Sequence, residues 1–260
     1  NLAAKDKYSL NSASIIFETI TKKGVNKSQN LKIAEAAALF ASAKLNIQTA
    51  LNNELAVFCE KADIDYFETI KFFENEFFQL NSSPTISIDP EATESYILLE
   101  SADNINTKIR LLSVAKRINT DMIKHAVSLT QDALSACGKP LRRAKIALMG
   151  NSRTGSPASI LAEMLETKGS KINFYDPRGY EKTRNYGSTS LKKTLKDTIE
   201  GTDGLIIVLE QDQIKRLNLK KIRALMKKKA AIIDLAGIVD PEKADKAGLI
   251  FRGIGRGTRK

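Results

Sequence analysis

The sequence predicts an α/β protein, with an all-helical dimerisation domain followed by a doubly wound parallel-sheet domain. Residues 31–61 and 106–137 are long, amphipathic and free of Pro and Gly, which is typical of helices. From residue 141 onward, short apolar runs alternate with helical patterns, and this alternation is typical of a parallel sheet. The charge changes at the same place, because residues 1–140 hold 15 basic and 17 acidic side chains whereas residues 141–260 hold 26 and 13.

The first half is predicted to be mostly helical. Four helices are expected, at residues 12–23, 31–61, 93–104 and 106–137. A short helix is expected to begin after Asp63 or Asp65, and a polar loop is expected at 80–92. Gly138 is expected to end the last helix.

The second half is predicted to alternate strands with helices. Five strands are expected, at residues 144–150, 171–177, 203–210, 230–237 and 249–255. Four helices are expected between them, at residues 156–169, 190–201, 217–228 and 241–248. The first of these has clear terminal signals, since Ser156 can cap it, Pro157 suits its first turn and Gly169 follows its end.

The composition excludes several classes of protein. With 260 residues, of which 42% are hydrophobic and 27% charged, the chain is neither disordered nor fibrous. No apolar run reaches about 18 residues, so neither a transmembrane helix nor a membrane partner is predicted. The chain opens at Asn1 with a polar segment that is not a signal peptide, and we expect a cytoplasmic location.

Two cysteines and one histidine offer little support for catalysis. Cys59 and Cys137 lie in apolar helical patterns and are interpreted as small buried residues, with a disulfide or a reactive thiol as the alternative. His125 is interpreted as an ordinary residue of a polar helix, which disfavours Ser-His-Asp and Cys-His mechanisms. No cluster has the ligand number and spacing of a zinc site, so no metal site is predicted.

A candidate anion site follows the predicted strand at 144–150. Gly150, Gly155 and the helix that begins after Ser156 would present backbone N–H groups to a phosphate, with Arg153 beside them. The spacing GNSRTGSP differs from G-x-G-x-x-G, so the dinucleotide signature is absent. A short Gly/Ser turn is common between any such strand and helix, and a purely structural turn remains the alternative.

Five segments, in order along the chain, carry a family resemblance: AEAAALFASAKLNIQTALNNELAVFCEKADID, SIDPEATESYILLESAD, RLLSVAKRIN, KIALMG through YDP, and IIDLAGIVDPEKADKAGLIFRGIGRG. Together they resemble the nucleotide-sugar dehydrogenases, the UDP-glucose/GDP-mannose dehydrogenase family. The resemblance implies NAD-dependent, two-step oxidation of a UDP-sugar C6 alcohol to the uronate. It also implies three domains: the end of an N-terminal NAD-binding domain (1–30), a helical central or dimerisation domain (31–140) and a Rossmann-like domain that binds the nucleotide sugar (141–260).

The catalytic positions of that family differ in this chain. The resemblance implies a cysteine nucleophile that forms a thiohemiacetal and then a thioester, supported by a lysine and an asparagine on the central helix. The matching positions hold Thr85, Ala38 and Ser42. A threonine hydroxyl is a poor substitute, because its pKa lies far above that of a thiol. Asp89 alone matches the catalytic set, and it is the candidate catalytic residue.

The UDP-binding features of the family are partly retained. Its F-K-x-x-t-x-D loop is shortened to NSRTG, and the arginine of its D-G-R is missing from Asp234-Leu235-Ala236. The candidates for binding a UDP-sugar or another phosphorylated ligand are Gly150, Ser152, Arg153, Ser156 and, in the closing G-I-G-R-G, Arg256.

Three hypotheses remain open. The leading one is a degenerate, non-catalytic family member that binds no cofactor itself, NAD being expected only with an upstream Rossmann domain. The second is an active, divergent dehydrogenase whose NAD domain lies upstream or on another chain and whose Asp89 or Thr85 takes part in the chemistry. The third is a module that binds nucleic acid or another polyanion through the basic half, although solvated helix faces explain most of its lysines and no aromatic residues are interleaved with them.

A homodimer is expected in addition. The helices predicted at 31–61 and 106–137 carry wider apolar faces than a domain of this size would bury. In the family that the chain resembles, the corresponding helix packs against its twin across a two-fold axis.

Overall fold

The computed structural model describes residues 1–22, 24–73, 83–86, 93–177, 189–208 and 218–257. Two compact units form, one from residues within 1–47 and 92–113 and the other from residues within 48–91 and 114–260. The division into domains at residues 30 and 140 stays a prediction. No helix among the described residues is long and apolar enough to cross a membrane.

Nine helices and eight strands lie in the described residues. The helices are α1 (Lys7–Ile20), α2 (Leu31–Ala62), α3 (Tyr66–Phe73), α4 (Thr93–Asn104), α5 (Arg110–Ala136), α6 (Pro157–Thr167), α7 (Leu195–Ile199), α8 (Leu219–Leu225) and α9 (Pro241–Lys246). The strands are β1 (Leu2–Ala3), β2 (Lys27–Ser28), β3 (Lys145–Met149), β4 (Lys171–Tyr175), β5 (Ser190–Leu191), β6 (Gly204–Ile207), β7 (Ala230–Asp234) and β8 (Leu249–Gly253).

The first unit contains a short parallel strand pair and helical segments. β1 pairs with β2, and α1 connects them. The predicted start of α1 at residue 12 is wrong, because Asp6 caps the helix earlier by accepting the backbone N–H of Ser9 at 2.8 Å. The small core of this unit contains Ala43, Leu98 and Leu112.

The second unit is built on a six-stranded sheet in the order β5-β4-β3-β6-β7-β8, in which every pair is parallel. Alternate side chains of β3 point to opposite faces, because Ile146 and Leu148 join one hydrophobic cluster and Ala147 and Met149 join another. Residues of α5 and α6 belong to the first cluster, and residues of α7, α8 and α9 to the second. The doubly wound parallel sheet that the sequence predicts is therefore confirmed.

One predicted helix is partly wrong. The sequence pattern predicts a single helix over residues 190–201, but Ser190 and Leu191 pair with β4 as the edge strand β5. The helix begins only after Thr194, whose hydroxyl accepts the backbone N–H of Asp197 at 3.1 Å. The other described elements of the second half differ from the prediction only at their ends.

Both cysteines are buried and free of a disulfide, which confirms their interpretation as small buried residues. Burial raises the pKa of Cys59, and the nearby charges of Asp65 and Glu60 raise it further. Burial also raises the pKa of Cys137, although the positive charges of Lys139 and Arg252 oppose this effect.

Candidate functional site

The sheet reverses its winding between β3 and β6. From β3 the chain continues to β4 and β5 on one side, whereas β6, β7 and β8 follow on the other. In open α/β sheets, ligands bind beyond the carboxyl ends of the strands at such a reversal. The turn after β3, residues 150–156, therefore occupies the position where this fold binds its ligands.

Gly150 allows the helix after β3 to pack closely on the strand. A Cβ atom at this position would lie 2.5 Å from the Cβ of Ala158 in α6 and 3.4 Å from the Cβ of Val208 after β6. Any larger residue would displace α6 from the carboxyl end of the strand. The absence of a side chain at Gly150 thus sets where the N-terminus of α6 lies.

Hydrogen bonds within the turn fix the start of α6. The Ser156 hydroxyl donates to the carbonyl of Asn151 at 2.6 Å and accepts the backbone N–H of Ser159 at 3.1 Å. The Asn151 side chain accepts the backbone N–H of Arg153 at 2.9 Å, and the side chain of Arg153 is exposed. The predicted cap at Ser156 is therefore confirmed, and the turn presents a cationic side chain near the positive end of a helix dipole.

Asp176 holds the turn to the neighbouring strand. One of its carboxylate oxygens accepts the backbone N–H of Ser152 at 2.7 Å and its hydroxyl at 2.8 Å. Both residues are buried, with exposures of 7% for Asp176 and 5% for Ser152. Asp176 is not among the predicted site residues. The only sequence feature that could have indicated it is its position, as an acidic residue directly after the buried strand β4.

Arg256 follows β8, which is the strand at one edge of the sheet. Its guanidinium Nη1 donates to Asp65 at 2.6 Å, and its guanidinium carbon Cζ lies 4.1 Å from the centre of the Phe67 ring. Its buried Nε has no hydrogen-bond partner among the described residues. No pattern in the sequence indicates these contacts with Asp65 and Phe67.

Arg256 lines a different cavity from the turn at 150–156. The described lining of this cavity, which has a volume of about 640 Å³, contains Arg256 and no residue of 150–156. Since β3 and β8 are separated by β6 and β7, their carboxyl ends stand about 14 Å apart. Gly150, Ser152, Arg153 and Ser156 therefore lie together, whereas Arg256 lies apart, and their roles in ligand binding stay predictions.

A second polar network fixes the G-I-G-R-G segment. Glu60 accepts the backbone N–H of Gly255 at 2.8 Å and lies 2.9 Å from the ring nitrogen Nε2 of His125. The carbonyl of Gly255 accepts the backbone N–H of Tyr66 at 2.8 Å. The positive φ of Gly255, +71°, and a Cβ position 2.7 Å from the Cβ of Tyr66 explain why glycine stands here.

Asp234, at the D-G-R position of the family, has a structural environment. Its carboxylate accepts the backbone N–H groups of Ala236, Gly237 and Val239 at 3.0, 3.0 and 2.6 Å. Burial raises the pKa of Asp234, even though these donors favour the ionised form. Asp234 thus shapes the turn after β7.

The positions that match the catalytic set of the resembled family lie in ordinary surroundings. In the first unit, Ala38 is exposed, and the hydroxyl of Ser42 lies 3.3 Å from that of Ser95. In the second unit, Thr85 is half-buried and its backbone N–H donates to the Asn53 side chain at 2.8 Å. Asp89 falls outside the described residues, and no group of His, Cys, Asp and Glu in the described part could hold a metal ion.

A protein-family model matches part of the sheet unit. Residues 151–241 match the UDP binding domain of the UDP-glucose/GDP-mannose dehydrogenase family. This range includes Ser152, Arg153, Ser156 and Asp176 and ends at the start of α9.

Curated relatives match nearly the whole chain. The chain is 27% identical over 239 residues to UDP-N-acetyl-D-mannosamine dehydrogenase of Pyrococcus horikoshii, covering 88% of this chain and 53% of that protein. It is 23% identical over 246 residues to UDP-N-acetyl-D-glucosamine 6-dehydrogenase of Pseudomonas aeruginosa, covering 88% and 56%. The chain therefore spans about half the length of the curated relatives it matches.

Solved structures also match nearly the whole chain. The structure of UDP-D-ManNAc dehydrogenase from Pyrococcus horikoshii matches with a TM-score of 0.78 and 25% identity, covering 96% of this chain and 58% of that one. The NDP-N-acetyl-D-galactosaminuronic acid dehydrogenase of Methanosarcina mazei matches with a TM-score of 0.76 and 19% identity, covering 96% and 56%. The second match supports the fold alone.

Proposed function

Because the chain belongs to the UDP-glucose/GDP-mannose dehydrogenase family, we propose that its sheet unit binds a UDP-sugar at the carboxyl ends of β3 and β6. The observation that carries this proposal is the turn at 150–156, which Asp176 holds in place directly before the N-terminus of α6. The diphosphate would lie against that helix terminus, where backbone N–H groups and the helix dipole favour negative charge. The side chain of Arg153 would supply the neutralising cation.

We also propose that the chain does not itself catalyse the oxidation. Ala38 carries no amine, and Thr85 offers only a hydroxyl where a thiolate is needed. Neither existing thiol can take over, because burial raises the pKa of both Cys59 and Cys137 and so disfavours the reactive thiolate. A cytoplasmic location is proposed from the sequence.

Calorimetric titration with UDP and several UDP-sugars tests the binding proposal, and NADH formation by the full native protein tests the catalytic one. We expect saturable binding of UDP that the Arg153→Ala variant weakens, and no NADH above background. Absence of UDP binding would refute the nucleotide site. Robust NADH formation would instead favour the alternative, an active divergent dehydrogenase whose NAD domain lies upstream or on another chain.

A homodimer through residues 31–61 and 106–137 is proposed as well. Large apolar side chains of α2 are exposed along one stripe, with Phe40 61%, Leu51 48% and Phe58 61% exposed. Leu111, at the start of α5, is 62% exposed. A stripe of this length is unusual on a monomer surface and would be covered by the same stripe of a second copy.

A further inference from the structure

The amino ends of the sheet strands carry an unusual concentration of positive charge. The turns that lead into β3, β4, β6 and β7, taken with Lys145 and Lys171 at the strand starts, form what we call the basic edge. Nine basic side chains and two acidic ones lie on it: Lys139, Arg142, Arg143, Lys145, Lys168, Lys171, Lys227, Lys228, Lys229, Glu200 and Asp203. The basic edge lies at the opposite end of the strands from the proposed nucleotide site.

Backbone hydrogen bonds join these turns into one continuous surface. The N–H of Arg143 donates to the carbonyl of Gly169 at 2.8 Å, which links the turns before β3 and β4. The N–H of Asp203 donates to the carbonyl of Lys145 at 2.7 Å, and the N–H of Lys227 donates to that of Thr202 at 3.0 Å. The cations are thus neighbours in space although they are far apart in sequence.

Only two of the nine cations have an acidic partner among the described residues. Lys139 and Lys227 each lie 2.8 Å from Asp203, and these bonds, with the N–H of Lys145, lower the pKa of Asp203 even though burial raises it. The other seven side chains are all exposed and form no ion pair with a described residue; they are Arg142, Arg143, Lys145, Lys168, Lys171, Lys228 and Lys229. Asp203 therefore accounts for a small part of the charge.

Helix dipoles offset another part of the positive charge. The helices α5, α6, α7 and α8 end at this edge, and each C-terminus carries roughly half a negative charge, about two charges in all. The basic edge has a formal charge of +7. An excess of roughly five positive charges is left for an external anion.

We infer that the basic edge binds the backbone of double-stranded nucleic acid without sequence specificity. The turns contain no aromatic residue on which unpaired bases would stack, which disfavours a single strand. They also contain no large exposed apolar side chain that would enter a membrane. A duplex has the densest regular row of phosphates, so it gains most from a rigid row of cations.

A charge-matched pair of variants tests this inference on the full chain. The edge variant is Lys168→Gln, Lys171→Gln and Lys228→Gln combined, and the control is Lys220→Gln, Lys221→Gln and Lys243→Gln combined. Lys220 and Lys221 lie in the first turn of α8, outside the turns that form the basic edge, and Lys243 is 75% exposed on α9. Both variants remove three charges from exposed positions.

The measurement is fluorescence anisotropy of a labelled DNA duplex of about 20 base pairs over a series of salt concentrations. We expect the edge variant to bind at least about tenfold more weakly at low salt and its log–log salt slope to fall by about 2.7, with less than about a twofold change for the control. Equal losses in both variants, or no duplex binding by the native chain at low salt, would overturn the inference. Preference for a sulfated polysaccharide or for anionic vesicles over the duplex would overturn it too. Because UDP titration reads out the opposite end of the sheet, a failure here leaves the nucleotide proposal standing.

Discussion

Ser152 donates both its backbone N–H and its hydroxyl to one carboxylate oxygen of Asp176, at 2.7 and 2.8 Å. This pair joins the turn after β3 to the residue after β4, at the point where a ligand would meet the sheet. The contact should favour ligand binding, because a turn that is fixed before the ligand arrives loses less entropy when the ligand binds.

The Ser152→Ala variant should weaken UDP binding. It removes the hydroxyl donor but keeps the backbone N–H, so the fold should persist while the turn becomes looser. We expect a loss of roughly tenfold in affinity, about 1.4 kcal/mol, by calorimetric titration. The control is Ser128→Ala, which removes an exposed hydroxyl from α5. Unchanged affinity in Ser152→Ala would show that the turn does not contact the nucleotide.

The Gly255→Ala variant should destabilise the second unit strongly. The new Cβ would meet the Cβ of Tyr66 at 2.7 Å, at a φ of +71° that alanine rarely adopts. We expect a loss of about 3 kcal/mol in denaturant unfolding. Gly138 has a similar φ of +72° with no atom near its Cβ position, so Gly138→Ala should cost only about 1 kcal/mol. Equal costs would mean that the contact with Tyr66 is unimportant.

The Lys116→Met variant should stabilise the chain at neutral pH. Burial lowers the pKa of Lys116 to about 8, below the value of about 10.4 in an unfolded chain. The unfolded state therefore binds more protons between about pH 8 and pH 10, and stability should rise with pH in that window. Lys116→Met should add about 1 kcal/mol at pH 7 and flatten this rise. Lys124→Met, at a side chain that is 71% exposed, should leave the pH dependence unchanged.

A cysteine placed at position 85 should react faster than either native thiol. Thr85 is half-buried, whereas Cys59 and Cys137 are buried and have raised pKa values. In the Thr85→Cys variant, iodoacetamide should label position 85 at least about tenfold faster than positions 59 and 137, as measured by mass spectrometry of the peptides. Equal rates would contradict the interpretation that the native thiols are inert packing residues.

The Phe40→Glu variant should dissociate the proposed dimer. Phe40 is 61% exposed on the apolar stripe of α2, and a carboxylate there could not be buried against a second copy. Sedimentation velocity should show dimers for the native chain and monomers for the variant. Lys32→Gln changes the charge by the same amount at an exposed polar position of α2 and should remain dimeric. A native chain that sediments as a monomer would refute the proposal.

Sequence patterns predict a helix or strand correctly where residues close together in the chain determine its ends. Ser156 and Pro157 mark the start of α6 in the sequence, and the Ser156 hydroxyl does cap that helix. The error at 190–201 arose because Leu191, Leu195 and Ile199 recur at helical spacing, which hides the edge strand. Pairing with β4 decides the structure of Ser190 and Leu191, and periodicity along one segment contains no information about that partner.

The candidate site was likewise predictable only where its residues are adjacent in the sequence. The turn at 150–156 follows from a strand, two glycines and a helix cap that are adjacent in the sequence. The contact between Arg256 and Asp65 joins residues that are 191 positions apart, and no sequence pattern relates them. The basic edge has the same origin, because its lysines are separate in sequence and become neighbours only when the parallel strands align.

The hydrogen bonds that hold Gly255 affect which truncated forms of this protein can be expected to fold. Glu60 and Tyr66 hold the C-terminal segment, and one hydrophobic cluster contains Ala56, Met122 and Ile233. A truncated protein that started at residue 141 would leave that cluster open to water and Gly255 without either anchor. A fragment intended to keep the proposed nucleotide site folded should retain the end of α2 and most of α5 together with the sheet.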